Sequence, residues 1–258
     1  MKVKIDIRAQ RALSKRYWRY TRKLLAIIRE PVNQLSEFTD PDRLKDRIPY
    51  LLDPKKMEKH LITIWGEVGG KFGYEMEKAI KKAKSGDPAF ELKEERRMYW
   101  NERSMQLAAK RAGEKAVKIL DSETEAINRV IDMVIDKANV EGMGIPETRR
   151  LMRDYLMGDE MATIENYQAE RIARTEVGSA SNTMSFQSAQ ENAEGVTKGW
   201  LVSGLKGMRT SHIAYGSMGD KLPMDFQYAP GLKFPQDPDC QIAEEVINCR
   251  CTHIFNVD

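Results

Sequence analysis

The chain has 258 residues, 31% of them charged, and a formal net charge of +3. That length is enough for one large domain or two smaller ones with a buried core. The mean hydropathy is negative, and no apolar run approaches the roughly 18–20 residues of a membrane-spanning helix, so we expect no membrane partner. The first residues, Met1–Asp6, lack the apolar core of a secretory signal, and we expect synthesis in a cytoplasm.

Positive charge is concentrated at the start of the sequence, where residues 1–29 hold ten Lys or Arg and one acid. No Gly or Pro interrupts residues 8–28, so we predict a helix that ends before Pro31, because proline disfavours helix at the preceding residue. Five cations of this helix are candidates for binding DNA phosphates or an acidic protein surface, and a solvated helix face is the alternative. They are Lys15, Arg16, Arg19, Arg22 and Lys23.

A second helix is predicted to begin at Asp53 and Pro54, which have the N-cap and N1 pattern, and to continue to about Lys84. Four glycines lie inside it, at positions 66, 69, 70 and 73. Glycine costs roughly 1 kcal/mol against alanine in a helix. The glycines therefore indicate either a break in the helix or close packing against another backbone.

Three more helices are predicted between residue 90 and residue 192. The first covers about 90–138, with a restart at Asp121–Ser122 because Ser122 has the spacing of a capping box. The others cover about 146–156 and 161–192. All three follow the apolar periodicity and the Gly and Pro breaks of the sequence.

After Gly195 the sequence changes to short mixed runs separated by Gly and Pro, which predict strands near Lys198–Val202 and Cys251–Phe255. We therefore predict an α+β fold, with a mostly helical N-terminal body followed by a small C-terminal α+β module. The predicted regions are a helical region over 1–119, containing the basic first helix, and a domain over 120–258. That domain has helices within 122–192 and a module of strands and turns over 198–258.

Glu176 lies in an otherwise apolar stripe of the last long helix. A buried carboxylate is costly unless it is hydrogen-bonded or paired. We therefore expect Glu176 to be at least partly buried and bonded to Arg250, with Arg174 or backbone N–H groups of the C-terminal module as alternative partners. A rotated helix would instead leave Glu176 at the edge of the stripe.

The three cysteines of the chain and one histidine are candidate ligands of a structural zinc ion: His212, Cys240, Cys249 and Cys251. Burial of the cysteines as small apolar side chains, and a disulfide, are the alternatives. A nucleophilic pair of Cys249 or Cys251 with His212 or His253 is a further one, which the spacing does not favour. The sequence contains no phosphate-binding loop, nucleophile elbow or His-Glu-x-x-His motif. Apart from zinc we expect no cofactor.

Several segments follow one another in an order that is more specific than any one of them. They are Arg171–Glu176, Asn182, Lys198–Trp200, Arg209–His212, Phe226, Pro235–Pro238 and Glu245–Cys251. Together they resemble the phage Mu F-like domain, the head-morphogenesis family of minor capsid proteins in tailed phages, over about residues 120–258. The matching structural positions are Arg174, Glu176, Trp200, His212, Asn248, Cys249, Arg250 and Cys251. Cys240 lies outside this motif, and residues 1–119 carry no resemblance.

The resemblance implies a minor capsid protein that acts at or near the portal in head assembly, DNA packaging or ejection. The implied partners are the portal protein, the major capsid or scaffold protein, and packaged double-stranded DNA. The implied location is the inside of the head near the portal, with the host cytoplasm as the site of assembly.

The alternative function is that of an ADP-ribosyltransferase-like enzyme carried in the virion, because Mu F-like domains have a suspected kinship with that fold. Arg174 and Glu176 would then flank a nicotinamide nucleotide. The Ser-Thr-Ser and Glu-x-Glu elements of such enzymes are not reproduced by Ser179–Ser181 and Glu244–Glu245. We therefore expect no catalytic residues and no enzymatic activity.

Overall fold

Eight helices and three short strands form the described part of the chain, which a computed structural model gives for residues 2–4, 7–35, 43–192, 194–204 and 207–257. Side chains at 2–4, 7–17 and 160 lie outside this description. In chain order the elements are β1 (Lys2–Lys4), α1 (Ile7–Leu35), α2 (Leu44–Leu51), α3 (Pro54–Ser85), α4 (Glu94–Glu141), α5 (Ile145–Met157), α6 (Asp159–Glu191), β2 (Val196–Leu201), α7 (Thr210–Ser217), α8 (Ala243–Val246) and β3 (Thr252–Val257). The predicted α+β class, a mostly helical body with a small α+β module, is confirmed.

Helix α1 continues through Pro31 to Leu35, so the prediction that it ends before the proline is wrong. Beyond the proline, Val32 and Leu35 are each 1% exposed and join an apolar core with side chains of α2, α4, α5 and α6. Burying such side chains contributes about 1.5–3 kcal/mol each. That contribution offsets the roughly 3 kcal/mol that proline costs inside a helix.

The four glycines of α3 do not break the helix, because they face α4 at close range. Carbon atoms added at Gly66 and Gly73 would lie 2.8 Å from Met105 and 2.6 Å from the ring of Trp100. At Gly70 an added carbon would lie 2.7 Å from the Cα of Asn101. The sequence allowed either a break in α3 or close packing at the glycines, and the structure shows close packing against α4. The N-cap is confirmed as well, since Asp53 accepts hydrogen bonds from the backbone of α3.

Helix α4 is continuous where the sequence predicted a restart at Asp121–Ser122. Ala116, Leu120 and Ile127 are all buried, at spacings of four and seven residues. The apolar stripe thus stays on the same face of the helix before and after Asp121 and Ser122. Packing along that stripe holds the helix together, and the capping-box pattern is not used.

The described chain divides into two compact units, and several helices contribute to both. The first unit is Met1–Tyr17, Ile62–Ala108 and Arg171–Asp258, and the second is Trp18–Leu61 and Ala109–Glu170. The boundaries fall inside α1, α3, α4 and α6. The predicted division after residue 119 also falls inside α4, and the separate domain over 120–258 stays a prediction.

The sheet belongs to the first unit and has the order β1-β3-β2, with both pairings antiparallel. In the centre, Phe255 of β3 is opposite Val3 on one side and Lys198 on the other. Strands near Lys198–Val202 and Cys251–Phe255 were predicted, and β2 and β3 confirm them within two residues. Strand β1 was not predicted, since three residues carry no usable alternation.

We predict that Gly70→Ala destabilises the protein by about 1–3 kcal/mol, because the new methyl group has no room beside Asn101. The matched control is Gly113→Ala in α4, where an added carbon meets its nearest neighbour at 3.7 Å. That variant should be neutral or more stable by about 0.5–1 kcal/mol. Urea denaturation of both variants checks the pair, and equal stabilities would contradict the close packing.

Candidate functional site

The candidate site is built on the second half of α6, which is enclosed by its neighbours. From Ile172 to Ala189 every side chain except those of Arg174 and Gln187 is buried. A helix that is buried on all sides is a core element. An unsatisfied buried polar group costs about 1–3 kcal/mol. Several of its polar side chains therefore bond to neighbouring elements, whereas the hydroxyls of Thr183, Ser185 and Ser188 have no hydrogen-bond partner among the described residues.

Glu176 is 2% exposed, so the prediction that it is buried is confirmed. Its carboxylate accepts a hydrogen bond of 3.1 Å from the indole nitrogen of Trp65, on α3 of the same unit. Arg250, the expected partner, is exposed. The prediction of a Glu176–Arg250 pair is therefore wrong, because Arg250 is turned to solvent.

Asn248 is the residue that ties the segment before β3 to α6. Its backbone N–H donates to the hydroxyl of Thr175 at 3.0 Å, and its side-chain oxygen accepts a hydrogen bond from Arg174. Its φ angle is +59°, in the left-handed region that asparagine tolerates better than most residues. The turn at Asn248 thus performs the role that the sequence assigned to Arg250.

A second tie joins α6 to the start of β3 through Asn182. Its amide nitrogen donates to the carbonyl of Cys251 at 3.3 Å, and its oxygen accepts from the hydroxyl of Thr252 at 2.9 Å. Beside it, Ser179 donates to the backbone carbonyl of Gln236 at 3.0 Å. These contacts hold two segments of the module, one at Gln236 and one at the start of β3, against α6.

Lys198, on β2, is 1% exposed and organises the segment after α7. Its ammonium group donates to the carbonyls of Met224, Phe226 and Lys233 at 2.9, 2.7 and 2.6 Å. Burial lowers the pKa of Lys198 to about 8. The three carbonyls match the three N–H donors of the charged form, and the lysine acts as a structural clamp.

His212, Cys249 and Cys251 form a buried cluster in which one nitrogen and two sulfur atoms lie within 4.8 Å of one another. Nδ1 of His212 lies 3.6 Å from the sulfur of Cys249 and 3.5 Å from that of Cys251. Nε2 lies 2.8 Å from a carboxylate oxygen of Glu245, although that contact lacks hydrogen-bond geometry. Trp200 packs edge-on against the imidazole, with ring centroids 5.0 Å apart.

The two thiols of the cluster have different proton affinities. The pKa of Cys251 is lowered to about 5, first because its sulfur accepts a hydrogen bond from Cys249, and also because His212 and Trp200 lie beside it. The pKa of Cys249 is raised, because its thiol donates that hydrogen bond and is buried. At neutral pH the pair therefore favours one thiolate, which is the form that binds soft metal ions.

Cys240, the fourth predicted ligand, is not part of this cluster. It is half-buried, and its sulfur accepts a hydrogen bond of 3.4 Å from the backbone N–H of Ile242. The structure therefore brings together three of the four predicted ligands. Glu245 lies beside the cluster, and the sequence did not predict it as part of a metal site. Its carboxylate sits in a short helix with no periodicity that indicates a buried face.

Of the basic side chains in α1, those of Arg19, Arg22 and Lys23 are exposed. The guanidinium of Arg22 lies 3.6 Å from the centre of the Trp18 ring. The side chains of Lys15 and Arg16 lie outside the described residues. Three of the five candidate cations are thus accessible to a partner, whether nucleic acid or protein.

Comparison of the chain with protein-family models, with curated proteins and with solved structures gives no match. Among the described helices, none is both long and apolar enough to cross a membrane.

We predict that Asn248→Ala destabilises the first unit by about 1–3 kcal/mol, because alanine disfavours the left-handed turn and cannot accept the Arg174 hydrogen bond. Asn248→Gly keeps the turn and loses only the side-chain bond, so its effect should be smaller. Arg250→Ala is the matched control on an exposed neighbour and should change stability by less than about 0.5 kcal/mol. Thermal unfolding of the three variants ranks their stabilities. A larger loss of stability for Arg250→Ala than for Asn248→Ala would show that Arg250, not Asn248, connects this segment to α6.

Proposed function

We propose that the chain is a minor capsid protein of a tailed phage, which acts at or near the portal in head assembly, DNA packaging or ejection. One observation carries the proposal. The segments that resemble the Mu F-like domain are scattered between residues 171 and 251, yet their side chains make contacts with one another around α6. The contacts include Arg174–Asn248, Asn182–Cys251 and His212–Cys249.

The character of these contacts favours a structural role over a catalytic one. His212, Cys249 and Cys251 are each 3% exposed or less, which leaves little surface for a substrate. Arg174 and Glu176, the candidates for an ADP-ribosyltransferase, are engaged by Asn248 and Trp65. A network of this kind makes a rigid module, which suits a protein that works by binding other head components.

The proposed partners are the portal protein and the major capsid or scaffold protein, and the proposed location is the inside of the head near the portal. In the test, the full chain is co-expressed with the portal and major capsid proteins of the same phage. We expect the chain to sediment with portal oligomers and to be present in purified heads, by mass spectrometry. Asn248→Ala should reduce this recovery, and Arg250→Ala should not. Heads that assemble and package normally without the chain, and that never contain it, would contradict the proposal.

Packaged DNA is a further proposed partner, through the exposed cations of α1. Reversing the charges of Arg19, Arg22 and Lys23 to Glu should weaken binding to double-stranded DNA. The slope of log binding constant against log salt concentration should also become shallower, by the equivalent of up to about three phosphate contacts. The control reverses three other exposed cations, Lys55, Lys71 and Lys110, and changes net charge equally. Equal losses in both triple variants, measured by fluorescence anisotropy over a salt series, would remove the basic helix as the contact.

A further inference from the structure

The cluster of His212, Cys249 and Cys251 has the dimensions of a metal site. Around a tetrahedral zinc ion, with Zn–S of about 2.3 Å and Zn–N of about 2.0–2.1 Å, nitrogen and sulfur lie about 3.5 Å apart. The two observed nitrogen–sulfur separations are 3.5 and 3.6 Å. Two of the three distances between the ligand atoms therefore match those around zinc, and the third, between the two sulfurs, is at most 4.8 Å. We propose that Nδ1 of His212 and the sulfurs of Cys249 and Cys251 bind one zinc ion.

The surroundings of the histidine support this assignment. A metal-bound histidine usually directs its other ring nitrogen to a carboxylate, which fixes the ring and raises its basicity as a ligand. Nε2 of His212 lies 2.8 Å from Glu245. The hydroxyl of Ser211 is in turn 3.0 and 3.1 Å from the two oxygens of that carboxylate. Glu245 is thus close enough to accept the Nε2–H once zinc binding orients the imidazole, although the present contact lacks hydrogen-bond geometry, and it would then act as a positioning residue.

The backbone beside the cysteines supplies a hydrogen-bond donor to one of the two sulfurs. The backbone N–H of Cys251 donates to the sulfur of Cys249 at 3.3 Å, which stabilises a negative sulfur. Arg209 donates a hydrogen bond of 2.6 Å to the carbonyl of Ile247, which places a positive charge on the segment that leads into Cys249. Two buried thiolates repel each other unless a cation lies between them. Zinc supplies that charge and displaces the remaining thiol proton.

Zinc would be a structural staple of the module. His212 comes from α7, Cys249 from the turn after α8, and Cys251 from the residue before β3. One ion therefore joins α7 to the segment between α8 and β3, beside a small core that includes Trp200, Tyr228 and Leu232. Three protein ligands leave the fourth position to a small ligand such as water. The zinc site does not depend on the proposed role in the phage head.

The decisive measurement is the metal content of the full chain, purified under reducing conditions without chelator. We expect one zinc ion per chain, measured by inductively coupled plasma mass spectrometry. After removal of zinc, Co²⁺ should give the sulfur-to-cobalt charge-transfer band of a thiolate site. A chelator should lower the thermal unfolding temperature, and added zinc should restore it. These readouts use the wild-type protein and do not depend on the folding of any variant.

Variants then assign the ligands. Cys249→Ser and Cys251→Ser should lose the charge-transfer band or weaken zinc binding by orders of magnitude, while the matched control Cys240→Ser keeps one zinc. Glu245→Gln should weaken zinc binding about 10–100-fold without changing the stoichiometry at saturating zinc. A wild-type chain that binds no stoichiometric zinc even after reconstitution would overturn the site. Loss of zinc in Cys240→Ser together with its retention in Cys249→Ser and Cys251→Ser would do the same.

Discussion

The complete burial of the second half of α6 is the constraint on which the first unit depends. A helix enclosed in this way exposes few polar side chains to water, so hydrogen bonds from neighbouring elements to its polar groups stabilise the fold. Glu176 receives the indole of Trp65, and Asn182 holds the backbone of Cys251. Thr175 accepts the N–H of Asn248. The requirement to satisfy this one helix thereby fixes where α3, the turn after α8 and the start of β3 lie.

The packing against α6 also explains why the imidazole of His212 and the sulfurs of Cys249 and Cys251 lie so close together. Cys251 is placed through its own carbonyl by Asn182, and Cys249 follows directly from the turn at Asn248. His212 approaches from α7 with Glu245 behind it. None of these positions is free to adapt to a substrate, and all suit a fixed coordination geometry. The proposed role in a phage head would require such rigidity, because the shape presented to other head components has to be constant.

The sequence predicted well what local chemistry decides, and poorly what depends on distant partners. The start of α3 followed from the cap at Asp53, and the burial of Glu176 followed from its apolar stripe. Periodicity shows which face of a helix is buried but not what covers it, so Trp65 could not be identified as the partner. The exchange of roles between Asn248 and Arg250 has a similar cause. Asn248 has a left-handed backbone conformation, and the turn brings Asn248 rather than Arg250 against α6. A side-chain pattern in the sequence does not predict such a turn.

The place of β3 in the middle of the sheet has a consequence for how the protein is made. Residues 2–4 pair with residues 254–256, so the first strand to be synthesised has no partner until β3 emerges from the ribosome. Every segment of the second unit, which ends at Glu170, is available before then. The second unit can consolidate during translation, whereas the first has to wait, with much of α6 still uncovered. Contacts of such long sequence separation form slowly, so we expect the first unit to fold after the second.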